Sequence, residues 1–251
     1  MASAERERLQ RGKVLIVGAG GLGAPAALSL AAAGVGTIGL VDSDTVDLSN
    51  LHRQVIYRSA DLGRPKVIAA AERIAARHPE VKVEPVQTRL SPANLHEIFR
   101  GYDFVIDATD QIASKYLVND GAVLHHKPFS HAGVAGFQGQ TMTVLPGDSA
   151  CFRCLFPVPP PAEEVPACQD AGIIGAFAGA IGFVQAGEAV KYLLGRATLL
   201  TNRLLTFDAA AGRWRTVLLA RNPQCVLCGQ APTLTHLECV DGGNPVRGEQ
   251  C

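Results

Sequence analysis

The sequence predicts an α/β fold: an open, mainly parallel sheet with helices on both faces, continuing into antiparallel strands. Three observations carry this. The uncharged or nearly uncharged runs at 14–18 (VLIVG), 37–42 (TIGLVD) and 104–109 (FVIDAT) suit strands buried on both faces. Stretches with helical spacing lie between them. After residue 128 the alternation stops, and strand pairs joined by glycine-rich turns follow.

The first strand, 14–18, leads into a glycine cluster and a small-residue helix, 24–33, ended by Gly34 and Gly36. The second strand, 37–42, completes a βαβ unit of about 30 residues, a Rossmann-like opening. Residues 43–63 read as a polar loop with short helical turns. Pro65 suits a first helical position, and 65–77 (PKVIAAAERIAAR) has helical spacing. The run 81–87 (VKVEPVQ) alternates like a strand, and Pro85 moves it towards an edge. Ser91 caps and Pro92 opens a helix reaching about Arg100. The strand at 104–109 and a helix at 111–124 follow. Two strands fill 128–145, a proline-rich loop fills 155–170, and 172–194 is a long apolar helix. A hairpin is expected at 203–208 and 213–219 around Gly212. Residues 1–235 are expected to form one domain, with 236–251 as a flexible tail.

The chain has 251 residues, 47% of them apolar and 18% charged, which suits a globular protein with a sizeable core. Lys and Arg total 23, as do Asp and Glu, which argues against a broad basic face for nucleic acid. Residues 14–41 and 171–187 carry no charge. Seven glycines and Pro25 interrupt the first, and the second is shorter than a span of about 20 apolar residues, so both read as buried core. The polar start, with Glu5, Arg6, Glu7, Arg8 and Arg11, does not resemble a signal peptide, and the expected location is cytoplasmic. All seven cysteines lie beyond residue 150, unlike a secreted disulfide framework.

Gly18, Gly20, Gly21 and Gly23 match GxGxxG between strand and helix, where backbone N–H groups can approach a phosphate. Asp42, at the end of the second strand, can accept hydrogen bonds from a ribose hydroxyl. These features suit an adenosine nucleotide and do not separate a dinucleotide from ATP. The polar segment that follows favours ATP, because a triphosphate needs cations and amide donors beyond its ribose, and Arg53 and Lys66 suit that task. Cys151 and Cys154, with Cys225 and Cys228, form two CxxC pairs able to offer four thiolates to one structural zinc; two redox pairs are the other reading.

The order GxGGLG, DxDxVxxSNLxRQ, RPK and Ala-Thr-Asp110 resembles the ubiquitin-activating-enzyme-like family. It is most similar to bacterial adenylyltransferases of the ThiF type, which activate molybdopterin-synthase and thiamine sulfur carriers. The resemblance covers about residues 12–229. It implies a nucleotide-binding part at 12–135 and a carrier-binding and zinc part at 136–229. It implies that Asp42 and Asp44 lie at the ribose, that Asn50, Arg53 and Gln54 surround the phosphates, and that Lys66 holds the triphosphate. Asp110 would hold magnesium, although by itself it could equally be a helix N-cap. Cys168 aligns with a loop cysteine able to attack the adenylate or take part in sulfur transfer. The implied cofactors are ATP, Mg2+ and Zn2+. The implied partners are a ubiquitin-like sulfur carrier ending in Gly-Gly, a second copy of the chain and a sulfur donor protein.

The sequence departs from the family in two places. Only about 12 residues precede the first strand, without the family's Arg-Tyr-x-Arg-Gln-like segment, whose arginine reaches the neighbouring subunit's ATP. Arg6, Arg8 and Arg11 are the candidates to replace it. Gln111 stands where the family has Asn, which keeps the amide chemistry on a longer arm. Three rivals remain: an NAD-dependent dehydrogenase, opposed by Arg53, Lys66 and Asp110; a tRNA-modifying dehydratase-like relative, opposed by the neutral charge and both CxxC pairs; and a non-catalytic carrier-binding scaffold.

Overall fold

In the computed structural model, which describes residues 2–160, 172–237, 239–241 and 244–246, β1 (Lys13–Val17) runs through the middle of an eight-stranded sheet. β2 (Thr37–Val41) and β4 (Phe104–Asp107) flank it, both parallel to it. β3 (Lys82–Val86) extends the sheet beyond β2 and β5 (Phe129–Ala135) beyond β4, again in parallel. β6 (Gln138–Val144), β7 (Arg203–Asp208) and β8 (Arg213–Leu218) then add antiparallel strands. The order is β3-β2-β1-β4-β5-β6-β7-β8. Pro85 sits in the outermost parallel strand, where its missing N–H costs no ladder bond on the free side.

The two-residue period of the strands divides the core. Val14 and Ile16 join Ile38, Leu40, Phe104 and Ile106 on one face, under α2 (Gly23–Ala33), α3 (Lys66–Arg77) and the long α7 (Gly175–Leu193). Leu15 and Val17 join Val41 and Val105 on the other, under α4 (Pro92–Phe99) and α5 (Ile112–Leu124). The one-turn α6 (Phe152–Leu155) packs on α5. Hence the first uncharged stretch builds β1, α2 and β2 of the core, the second leads into α7 and buries one face of it (Ala178, Ile181, Gly182, Gln185, Ala186), and among the described residues no helix is long and apolar enough to cross a membrane.

Some expectations need correction. A helix, α1 (Ser3–Arg11), precedes β1; its one buried residue, Leu9, gives no periodic signal to read. Pro65 is the N-cap of α3 rather than its first residue, because its backbone still pairs with Thr45. α7 starts at Gly175, after Gly172 takes a left-handed φ of 65° and Ile173 bridges to Gly136. Two short strands, β9 (Cys239–Asp241) and β10 (Asn244–Val246), pair antiparallel.

β1 feeds α2 and β2 on one side, whereas β3 and α4 return the chain to β4 on the other. The crevice between the C-terminal ends of β1 and β4 is therefore a topological switch point, where open α/β sheets bind ligands.

Candidate nucleotide site and cysteine cluster

The glycines after β1 divide by what surrounds them. Gly18 has φ 96°, and a Cβ there would stand 2.7 Å from the Ala108 carbonyl oxygen. A Cβ on Gly23 would meet the Gly18 oxygen at 1.9 Å. These two let the turn close against β4 and the helix start. Gly20 and Gly21 have no protein atom that close; a Cβ on Gly20 would first meet Gln54 Nε2, at 3.6 Å. Their smoothness faces the site, as close backbone approach by a phosphate requires.

The Ala19 peptide is held from both sides. Asp42 Oδ2 accepts its N–H at 2.8 Å, and Tyr57 Oη donates to its carbonyl at 2.8 Å. Burial, reinforced by the Asp42, Asp61 and Asp44 charges, pushes the Tyr57 phenol above its ordinary value, so it stays a donor. Asp42 Oδ1 also accepts the Asp44 N–H at 2.8 Å. Asp42 thus braces the loop, and each of its carboxylate oxygens keeps a second lone pair.

Lys66, 5% exposed at the start of α3, places its Nζ 2.7 Å from Asp44 Oδ2. Arg53 donates to the Ser49 carbonyl at 2.9 Å, and the backbone N–H groups of Arg53 and Gln54 both bond to the Asn50 carbonyl, so these three share one tight turn. That turn packs on α7: a Cβ on Gly175 would meet Arg53 Cα at 2.7 Å. Gln54 is buried, and its Oε1 has no hydrogen-bond partner among the described residues. An orphaned amide beside the glycine turn fits a site built for a polar ligand.

Asp110 is exposed in the β4–α5 loop, whose Ala108 and Thr109 backbone packs against Gly18. A solvent-facing carboxylate beside a phosphate-type turn fits the hard-oxygen preference of magnesium. Gln111, not Asp110, is the N-cap of α5, and Arg89 Nη2 reaches its Oε1 at 3.4 Å. Beneath the loop lie charged groups that sequence reading missed. Asp107 is fully buried; Thr109 donates to its Oδ1 through N–H (3.1 Å) and hydroxyl (2.6 Å), and His131 Nδ1 lies 2.8 Å from its Oδ2. Burial alone would raise the Asp107 carboxyl, but Lys115, His131 and Thr109 outweigh it and hold it below the ordinary value. Burial, more than the opposing pull of Asp107, lowers His131 below its ordinary value. An isolated Lys115 inside a helix gives no sign in the sequence that its ammonium turns inward.

The four CxxC cysteines converge although 70 residues separate the pairs. Their sulfurs lie 3.9 Å (Cys151–Cys154), 3.7 Å (Cys151–Cys225), 3.4 Å (Cys154–Cys228) and 3.4 Å (Cys151–Cys228) apart. A tetrahedral zinc with bonds of about 2.3 Å needs sulfurs about 3.8 Å apart, so the cluster could hold zinc. The contact makes the thiols share protons unequally: hydrogen bonds from Cys151 and Cys228 pull Cys154 far down, and the same contacts drive Cys151 up. Asn222 N–H bonds to the Cys154 sulfur at 3.4 Å, and Arg221 ties the Cys228 carbonyl to that of Gly147. Cys168 lies outside the described residues.

Of the N-terminal arginines, Arg8 donates to the Leu194 carbonyl at the end of α7, and Arg6 and Arg11 are exposed. Arg8 is thus occupied near the N-terminal ends of β1 and β2, away from this chain's own switch-point crevice.

Fold and site define an α/β protein with a phosphate-type turn at a sheet switch point and a four-thiol centre. The chain belongs to the ThiF family, which it matches over residues 1–227. It is 45% identical over 237 residues to a sulfur carrier protein adenylyltransferase from Thermus thermophilus, covering 92% of this chain and 88% of that one. It is 44% identical to the SAMP-activating enzyme E1 of Haloferax volcanii, covering 89% and 82%. With an adenylyltransferase and sulfurtransferase MOCS3 from Anopheles gambiae it shares 42% identity over 92% of this chain, but spans only 52% of that protein. A crystal structure of E. coli MccB with ATP shares the fold, with TM-score 0.80 at 21% identity, over 90% of this chain and 68% of that one.

Proposed function

We propose that this chain is an adenylyltransferase that uses ATP to activate the C-terminal glycine carboxylate of a ubiquitin-like sulfur-carrier protein. A carboxylate oxygen attacks the α-phosphorus, the bond to pyrophosphate breaks, and an acyl-adenylate remains. A carboxylate is already ionised at neutral pH, so no general base is needed. The work is alignment and stabilisation of charge on the phosphates.

The observation that carries this reading is the convergence at one crevice of the glycine turn, the Asn50–Gln54 turn and buried Lys66. Lys66 and Arg53 offset negative charge, and the N–H groups around Gly20 and Gly21 face the phosphates. Asp110 would hold Mg2+, whose positive charge would offset that of the phosphates. Asp42, Asp44 and Gln54 orient the nucleotide. Four cysteines bind structural Zn2+ and tie the start of the crossover segment to the later part of the chain. Gathered as free thiols, they support a reducing, cytoplasmic setting. Cys168 takes part in sulfur transfer after adenylation, with sulfur supplied by a donor protein. A homodimer belongs to the same reading: Phe183, 54% exposed, stands on α7 between Gly179 and Gly187, where an added Cβ would meet nothing within 4 Å among the described residues. The whole chain to 235 works as one domain. Thiamine, molybdopterin, cysteine and specialised sulfur pathways differ in the carrier and share this ATP chemistry.

The test is ATP–pyrophosphate exchange, with magnesium, against a panel of carriers ending in Gly-Gly. Exchange with one carrier is expected and names the pathway. Carrier binding without exchange for any carrier would favour the scaffold reading.

A further inference from the structure

The β4–α5 loop is tied down from beneath by a buried charged network. Lys115, on α5 and 6% exposed, donates from its Nζ to the Thr109 carbonyl (2.6 Å) and the Ala132 carbonyl (2.5 Å), and lies 3.8 Å from Asp107 Oδ2. Thr109 is therefore gripped at three points: its N–H and hydroxyl by Asp107, its carbonyl by Lys115. That carbonyl belongs to the peptide whose nitrogen is Asp110's. The grip fixes the peptide plane from which the Asp110 side chain springs.

The far side of the network is equally rigid. His131 on β5 bonds to Asp107 through Nδ1, while Phe152 packs on its ring at 4.3 Å. Gln185 on α7 donates to the Asp107 carbonyl (2.8 Å) and the Ser130 carbonyl (3.0 Å). Lys115 and Asp107 face each other across 3.8 Å inside the fold. In the network, His131 Nε2 and Gln185 Oε1 are buried with no hydrogen-bond partner among the described residues. A network kept for stability alone would do better as packed hydrocarbon. Three of its hydrogen bonds, two given by the Thr109 N–H and hydroxyl and one accepted by the Thr109 carbonyl, fall on the short connection between β4 and α5.

We propose that Lys115 is a positioning residue for magnesium: through the Thr109 carbonyl, and with Asp107 as its counter-ion, it holds the Asp110 carboxylate where the metal binds. This rests on the reading of Asp110 as the magnesium ligand. Groups that orient a metal ligand from behind commonly change metal affinity about 10- to 100-fold when removed.

The experiment measures Mn2+ binding to the full-length chain in the presence of ATP, by electron paramagnetic resonance, so that no turnover is needed. The variants are Asp110→Asn, Lys115→Met and the double variant. Lys115→Met is expected to weaken Mn2+ binding about tenfold or more. In the Asp110→Asn background it is expected to add nothing, because both changes act on one ligand. A purely structural Lys115 would weaken binding additively in the double variant, which would overturn the proposal. So would Mn2+ affinity within about twofold of the parent in Lys115→Met while Asp110→Asn loses it. Unchanged affinity in Asp110→Asn would instead remove the metal reading on which the proposal stands. Should Lys115→Met fail to fold, Thr109→Val cuts the hydroxyl tether to Asp107. It is expected to weaken Mn2+ binding at least about threefold, and no change would overturn the proposal.

Discussion

Lys66 Nζ sits 2.7 Å from Asp44 Oδ2, yet the lysine side chain is 6% exposed and the aspartate 65%. The ammonium is thus presented from a buried base to an edge open to solvent. Pairs with one such exposed partner contribute at most about 1 kcal/mol to folding, so the arrangement points to function rather than stability. Lys66→Met keeps the buried stem and removes the charge. ATP–pyrophosphate exchange is expected to fall about 100-fold or more while stability changes by about 1 kcal/mol or less. Exchange near the parent rate would remove Lys66 from the phosphate site.

One zinc per chain is expected by elemental analysis of protein purified without added metal. Four cysteine ligands leave no open position, so the metal acts on stability. Cys154→Ser, or a strong chelator, is expected to lower the melting temperature by about 5 °C or more. Chelation without change in melting temperature would show that the thiols close the fold unaided.

Arg153 and Asp120 form a buried two-bond pair, Nε to Oδ1 and Nη2 to Oδ2, both 2.7 Å. Asn119 beside it accepts the Phe152 N–H at 2.9 Å. Together they anchor the first CxxC turn to α5. Asp120→Ala leaves a buried guanidinium unpaired and is expected to cost about 3–5 kcal/mol in urea unfolding. A loss below about 1 kcal/mol would mean that water reaches Arg153.

His131 sets a pH dependence. Its folded-state affinity for protons is lowered by burial, against the opposing pull of Asp107. Below about pH 6.5 the unfolded chain therefore binds a proton that the folded chain does not. Stability is expected to fall as pH drops through that value, by at most about 1.4 kcal/mol per unit from this residue. The groups facing it are Asp107 and Lys115. Urea unfolding at pH 7.5, 6.5 and 5.5 reads the slope, and His131→Asn should flatten it. An equal slope in both proteins would assign the dependence elsewhere.

Cys168→Ala is expected to leave ATP–pyrophosphate exchange within about threefold of the parent and to stop carrier thiocarboxylate formation. Mass spectrometry of the carrier reads the second outcome. Loss of exchange itself would mean that this thiol is needed before the adenylate forms.

Much of the molecule was legible because local chemistry dictates it. Doubly buried strands are almost entirely apolar, so β1, β2 and β4 stand out in the chain, with Asp107 as the polar exception in β4. Gly18 and Gly23 are needed where backbone meets backbone, and the phosphate segment and CxxC pairs are compact in sequence. The sequence by itself determined the order of strands β1 to β8, the nucleotide-type turn and the ligand type of the cysteine centre. Tertiary structure decided what depends on distant partners. It brought Cys151 within 3.7 Å of Cys225 and set Arg153 on Asp120. It turned Lys115 inward onto Thr109 and Ala132. It also packed Gly175 on the Arg53 turn and Gly182 on Leu22, while leaving Gly179 open. No periodicity records such choices. A buried charge is stable only beside the groups that compensate it, and long-range folding alone supplies those groups.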